Sequence, residues 1–591
     1  MTDSSFEVLA NDGDRAFYRT TRTNADGTQT SVLAVRPAGE PPTAASLDRV
    51  SHEYGLKDQL HGTWAVRPLE LVRQGDQTVL ICEDPGGEPL ERLLGAPFST
   101  ERFLPLAIRM AAAVGELHRS GLVHKDLKPA HMLVDEAAGT VRLTGFGLAT
   151  LLPRERQTPA PPETIAGTLA YMAPEQTGRM NRSIDARSDL YSLGVTFYQM
   201  LTCALPFTAS EPMEWVHCHI ARKPVPPDER VEHVPAQLSR MVMKLLAKTV
   251  EERYQTAAGL EHDLRRALDA WQAQGRIEPF PPGEHDIPDR LLIPEKLYGR
   301  EREIATLLDA FERVVAEGMP RLVLVSGYSG VGKSSVVSEL HKALVPQRGL
   351  YAWGKYDQYK RNVPYATFAQ AFRCLVSQIL GKSDEALAQW RAALQEALGP
   401  NGQLMVKLVP QLALVIGEPP PLPDVPLQDQ QARFQMVFRR FLSVFARADH
   451  PLTLFVDDLQ WLDSATLDLI EHLIVHPDVR HLLLVGAYRD NEVGAAHPLA
   501  RTLTRLRDAG GRVGEIVLAP LGLGDVARLL ADALHADVAR VQPLADLVFE
   551  KTGGNPFFTI QFLLALGEQA LLAFDSDAGA WTWDLPRIRM M

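Results

Sequence analysis

The sequence predicts a multidomain protein in which an α+β unit is followed by an α/β unit built on a parallel sheet. Three observations carry this. A chain of 591 residues is long enough for about two to four domains of roughly 150 residues each. Residues 1–270 gather short β-like runs early and helical patterns late, whereas beyond 295 solidly apolar strands alternate with helices. The composition, 46% hydrophobic and 23% charged, suits buried cores; it excludes global disorder, a collagen-like repeat and a disulfide-stapled scaffold.

In the first unit, 31–35, 78–83 and 141–143 read as strands and 107–119 as a helix. Residues 271–294 shift to a proline-rich composition, IEPFPPGEHDIPDRLLIP from 277, which blocks helix and marks a linker. The second unit, 295–565, opens with GREREIATLLDAFERVVAEG, which puts Ile304, Leu307, Leu308, Phe311, Val314 and Val315 on one helical stripe. The strand LVLVSG and another helix follow, and the proline cluster at 418–426 reads as a surface loop. Residues 566–591 read as the start of a C-terminal region that is cut short.

The four cysteines, Cys82, Cys203, Cys218 and Cys374, form no C-x-x-C pair, so neither structural zinc nor a disulfide framework is expected. The N-terminus has no basic and apolar leader, and no run approaches the roughly 18 apolar residues of a membrane span, which predicts a cytoplasmic chain. With 73 acidic against 61 basic residues, a net charge of −12, a nucleic-acid partner is not expected. His217, Cys218 and His219 lack a second ligand pair and read as a half-buried helix rather than a metal cluster.

The sharpest signal is Gly327-Tyr328-Ser329-Gly330-Val331-Gly332-Lys333-Ser334, which matches G-x-x-x-x-G-K-[ST] between a strand and a helix. Gly327, Gly330, Val331, Gly332, Ser334 and Ser335 would cradle phosphates with main-chain N–H groups, Lys333 would reach the β/γ-phosphates, and the Ser334 hydroxyl would ligate Mg²⁺. A metal also needs a carboxylate, and Leu454-Phe455-Val456-Asp457-Asp458 supplies one at the end of an apolar strand. Asp457 is expected to hold Mg²⁺ through water. Asp458 sits where an ATPase places its water-activating acid, a methylene shorter than the usual Glu, so slow hydrolysis is expected. Arg489, at the end of a third strand, is placed to sense a γ-phosphate; an arginine that only solvates a strand end fits equally well. Pro556, in GGNPF, would meet the adenine, or the segment is a helix-capping turn.

Taken together, GRERE at 299–303, GYSGVGKSS at 327–335, VDDLQWLD at 456–463, AYRDNEV at 487–493 and GGNPFF at 553–558 resemble the AAA-type ATPases of the STAND class, signal-transduction ATPases with numerous domains. The resemblance implies a parallel-sheet domain with a helical extension, in which bound ATP acts as a latch and turnover is slow.

In the first unit, His124-Lys125-Asp126-Leu127-Lys128-Pro129, Gly145-Phe146-Gly147, Ala173-Pro174-Glu175 and Ser188-Asp189-Leu190-Tyr191-Ser192-Leu193-Gly194 resemble protein-kinase signatures in order. This implies a bilobal kinase fold, with Asp126 as base, Lys128 beside it, and Arg253 paired with Glu175. The sequence departs from that family where metal and nucleotide are held. Arg36 replaces the lysine of V-A-I-K, with Glu53 as its expected partner; His131 replaces the loop asparagine; Gly145 replaces the D-F-G aspartate; and only Gly13 remains of the glycine-rich lid. Both metal ligands are gone.

A kinase-like unit followed by such an ATPase resembles the N-terminal part of bacterial hybrid sensor histidine kinases, as does DQYKRNVPYA at 357–366. That implies a two-component signalling regulator using ATP and Mg²⁺. Its partners would be a docking protein or a downstream signalling domain, with nucleotide-dependent self-association. No histidine phosphoacceptor box lies in these residues. The leading expectation is a pseudokinase docking domain coupled to a slow ATPase switch; the alternative is an active serine/threonine kinase gated by the ATPase.

Overall fold

The computed structural model describes residues 7–11, 15–23, 27–37, 42–74, 77–151, 167–178, 180, 182–340, 344, 349–356, 364–380, 384–422, 426–575 and 577–590. Gly13 of the expected lid, 357–363 of DQYKRNVPYA and 423–425 of the proline cluster lie outside the described residues. The chain divides into two compact units, with the main boundary between Pro288 and Asp289.

In the first unit, β1 (Glu7–Asn11), β2 (Arg15–Thr23), β3 (Gln29–Pro37), β4 (Pro68–Gln74) and β5 (Gln77–Glu83) form an antiparallel sheet in the order β1-β2-β3-β5-β4. Alternation along β3 divides its side chains. Leu33 and Val35 pack with Phe17 and with Val50 of the helix Ala44–Gly55, whereas Val32 and Ala34 face Tyr18 and Ile81. A second sheet joins β6 (Glu88–Pro89), β7 (Met132–Asp135) and β8 (Thr140–Leu143).

The helix expected at 107–119 starts at Thr100 instead, capped by the Ser99 hydroxyl and running through Pro105. An interior proline costs about 3 kcal/mol. Phe103, Leu104, Leu106, Met110, Val114 and Leu117 are all buried on this helix, and each contributes roughly 1.5–3 kcal/mol, so burial outweighs the lost bond. The helix packs against Ala186–Thr202 and Ala257–Gln274.

Part of the proline-rich stretch lies on this unit. Gln237 donates its amide to the Phe280 carbonyl at 3.0 Å and accepts from the Phe280 N–H at 3.2 Å. Asp286 is buried and accepts from the Thr256 N–H (2.9 Å), the Thr256 hydroxyl (2.7 Å) and the Gln255 N–H at the start of Ala257–Gln274.

The second unit is built on a five-stranded parallel sheet of β9 (Arg321–Ser326), β10 (Leu350–Lys355), β11 (Leu452–Asp457), β12 (Leu482–Tyr488) and β13 (Val513–Val517), in the order β10-β11-β12-β9-β13. Leu322, Leu324, Leu454 and Leu484 face the helices Ala366–Leu380, Leu427–Phe445 and Ser464–Val475. Val323, Val325, Phe455 and Val485 face Leu307, Phe311 and Val314 of Glu301–Glu317, the stripe read from the sequence. With both faces covered, solidly apolar strands are what the sheet requires. Helices Leu523–Ala533, Val538–Thr552 and Pro556–Glu568 follow, then a hairpin of β14 (Leu572–Asp575) and β15 (Ala580–Trp583). No helix among the described residues is long and apolar enough to cross a membrane.

Candidate functional site

Because β12 lies between β9 and β11, the segments leaving the carboxyl ends of these three strands meet at one edge of the sheet. After β9, the loop 327–332 leads into the helix Lys333–Ser338. Two of its glycines are obligatory. A Cβ on Gly327 would lie 2.6 Å from the Leu518 carbonyl oxygen, and one on Gly330 would lie 2.8 Å from the Phe557 Cβ; both have positive φ. Val331 is buried, and Gly332 caps the helix at φ +98°.

Lys333 donates from Nζ to the carbonyls of Gly327 (2.7 Å) and Tyr328 (2.9 Å). Burial, helped by the charge of Arg489, holds its pKa below the ordinary lysine value. The Ser334 hydroxyl donates to Asp457 Oδ2 at 3.2 Å. Burial and the adjacent Asp458 carboxylate hold Asp457 above the usual carboxylate range. A hydroxyl and a carboxylate facing each other are the hard oxygen donors that Mg²⁺ prefers, so this pair fits the metal.

Asp458 adopts the left-handed region at φ +59° and is buried. Its Oδ1 accepts from Gln460 Nε2 at 3.1 Å and lies 3.8 Å from Arg489 Nε. Arg489 also donates to Glu492 Oε1 (2.9 Å) and lies over the Trp461 ring. Gln460 accepts the Arg489 N–H at 3.3 Å, so it ties the ends of β11 and β12 together. Pro556 is the first residue of the helix Pro556–Glu568, and Asn555 caps that helix by accepting from the Phe557 and Phe558 N–H groups. The Asn555 amide donates to the Ser329 carbonyl at 2.9 Å, and the Phe557 N–H to the Gly330 carbonyl at 3.2 Å. The structure thus brings 327–335, Asp457, Asp458, Arg489 and the 555–557 turn to one place. Sequence reasoning missed Gln460, Asn555 and Arg300. The buried Arg300 donates to the Val331 carbonyl at 3.3 Å, and its only signal was its place in GRERE.

The first unit keeps a frame around Asp126. Asp189, fully buried, accepts the N–H groups of His124 (2.8 Å) and Lys125 (2.9 Å). Asp126 accepts the Thr168 N–H at 2.9 Å, while Lys128 donates to the Thr168 hydroxyl at 2.8 Å and lies 3.8 Å from Asp126 Oδ2. Thr168 was not singled out from the sequence. Arg253 grips Glu175 with two bonds of 2.7 and 2.8 Å, both side chains fully buried, as the resemblance implied.

One expectation is corrected. The ion pair at Glu53 is made by Arg15 Nη1, at 3.3 Å, and not by Arg36. The pleat explains this. Arg36 shares its face of β3 with Ala34 and lies over the Tyr18 ring, whereas Arg15 shares the face of Phe17, which packs toward Ala44–Gly55. Gly145 stands at φ +88° and donates its N–H to Glu53 Oε1 at 3.2 Å. A Cβ there would lie 2.6 Å from Arg15 Nη2 and 2.7 Å from His131 Nδ1. His131 is buried, with Nδ1 2.7 Å from the Asp126 carbonyl oxygen. A divalent cation therefore does not fit here: nitrogen and a guanidinium fill the space its ligands would use.

Residues 28–264 match the family model of the protein kinase domain, and 296–485 that of the AAA ATPase domain. The chain thus carries a protein kinase domain followed by an AAA ATPase domain. It is 29% identical over 508 residues to hybrid signal transduction histidine kinase G of Dictyostelium discoideum, covering 71% of this chain and 14% of that protein. It is 24% identical to histidine protein kinase 1 of Candida albicans over 64% of this chain and 17% of that protein. Serine/threonine-protein kinase PknB of Mycobacterium tuberculosis is 36% identical over 29% of this chain and 27% of that protein. The chain thus spans well under a third of the length of these curated relatives.

Proposed function

We propose that the chain is an ATP-binding signal-transduction regulator of the STAND type, in which the second unit is a slow ATPase switch and the first a bilobal, degenerate kinase that docks a protein partner. The observation that carries this is the contrast at Gly145 and Asp457. Ser334 and Asp457 face each other as metal-fitting oxygens, whereas Arg15 and His131 crowd Gly145. The names of the two histidine-kinase relatives support a signalling role.

In the second unit Lys333 would leave the Gly327 and Tyr328 carbonyls to meet the β/γ-phosphates, and the main-chain N–H groups of 330–335 would hold the phosphate oxygens. Mg²⁺, when bound, neutralises phosphate charge. Asp458 would orient the attacking water, but its carboxylate is already engaged by Gln460, which favours slow turnover. Arg489, beside Asp458, would register the γ-phosphate. Asn555 would pass the state of 329–330 to the helix after Pro556, with release or recruitment of a partner or a second copy as output.

Calorimetric titration of the full chain with MgATP tests the assignment. Lys333→Ala is expected to remove the MgATP-binding event, a loss of at least about 100-fold, since each tenfold corresponds to only about 1.4 kcal/mol. Unchanged affinity in that variant contradicts it.

A further inference from the structure

In the first unit, one carboxylate, Glu53, serves two groups: Oε1 accepts the Gly145 N–H at 3.2 Å and Oε2 pairs with Arg15 Nη1 at 3.3 Å. This anchors the Arg15 guanidinium beside the space into which a side chain at 145 would project, 2.6 Å from an ideal Cβ. His131 takes the other side of that space, and its Nδ1, directed at the Asp126 carbonyl, carries a proton there. Lys128 stands nearby on Thr168 and Asp126. Burial drives the His124 imidazole down to about 4, with the charges of Arg15 and Lys128 adding to it and the Asp189 carboxylate opposing it.

A divalent ion entering here would meet a guanidinium of like charge, and Asp126 already accepts the Thr168 N–H. A phosphate chain meets the opposite situation, because a planar guanidinium is matched to phosphate oxygens and stays charged at any physiological pH. We propose that the first unit binds the phosphate chain of a free nucleoside triphosphate without divalent metal, with Arg15 supplying the positive charge a metal supplies in a catalytic kinase. This rests on the degenerate-kinase proposal above. Mg²⁺ should oppose such binding, since the metal complex carries less negative charge and brings a second cation toward Arg15.

Photolabelling of the full chain with 8-azido-ATP, followed by peptide mapping, tests this. In EDTA, peptides from 1–288 are expected to be labelled; excess Mg²⁺ should weaken that labelling by at least about tenfold while sustaining labelling of 289–591. Arg15→Gln should abolish labelling of the first unit, and Arg15→Lys, which keeps the charge and the Glu53 pair, should retain part of it. Absence of label in 1–288, label there that requires Mg²⁺, or undiminished label in Arg15→Gln would overturn the proposal. If Arg15→Gln does not fold, the EDTA against Mg²⁺ comparison on the unaltered chain decides alone. Mg²⁺-dependent phosphoryl transfer by the unaltered chain would instead contradict the degenerate kinase itself, so the two failures are distinguishable.

Discussion

Both units present a carboxylate-bearing loop, and they surround it with opposite chemistry. In the second unit, Ser334 and Asp457 offer oxygens 3.2 Å apart, and Lys333 is held by the Gly327 and Tyr328 carbonyls. In the first unit, Gly145 offers nothing, and a guanidinium and an imidazole fill the gap. Yet the frame of the first unit is as well built as that of the second: Asp189 holds the 124–126 loop, and Glu175 and Arg253 close a buried bidentate pair. Under the proposed function, frame and metal chemistry are separable, and the first unit keeps one without the other.

The comparison breaks most sharply at Arg253. Arg253→Ala leaves Glu175 buried without its cation, which should destabilise the first unit by about 3–5 kcal/mol in denaturant melts while the second unit's transition stays in place. A mild effect would mean the frame is not what holds that unit together. In the second unit, Asp458→Asn should leave MgATP affinity within about twofold and lower hydrolysis by about 100-fold, whereas Asp457→Ala should make nucleotide affinity insensitive to Mg²⁺. If both variants hydrolyse like the parent, the roles of the two carboxylates are wrong.

A smaller effect is expected at Asp286. Burial pushes its carboxyl up to about 6 from the ordinary 3.8, against three donors from Gln255 and Thr256 that favour the charged form. The folded state then holds the proton more tightly than the unfolded state. This group's contribution to stability is fully present below about pH 4 and is lost as pH rises through 6. Asp286→Asn should flatten that part of the first unit's stability profile, by up to about 3 kcal/mol across the window, as read from melts at pH 4, 5, 6 and 7. An unchanged profile would remove Asp286 from the account.

Much of the second unit was legible because its signals are local. The stripe through Leu307, Phe311 and Val314, the apolar strands and the glycine loop each follow from residue type and spacing. A capping turn was one of the two readings of GGNPF, but the part Asn555 plays was not visible, because its bond to Ser329 depends on how the last helices close on the sheet. Arg15 was illegible for a related reason. Its meaning comes from the β2–β3 register, which puts it and not Arg36 on the Glu53 side, and from a glycine more than a hundred positions away in the sequence. The start of the helix at Thr100 was hidden by Pro105, whose cost is overcome only by burial that a sequence does not display.

The central claim is that metal-dependent nucleotide chemistry belongs to the second unit alone. The direct test is to follow ATP hydrolysis and γ-phosphoryl transfer to a generic protein substrate in one Mg²⁺-containing reaction, for the full chain and for Lys333→Ala and Asp126→Ala. The account predicts slow hydrolysis that Lys333→Ala abolishes and Asp126→Ala leaves unchanged, with no transfer in any of the three. Robust transfer by the unaltered chain, lost in Asp126→Ala, would contradict it and make the first unit a working kinase.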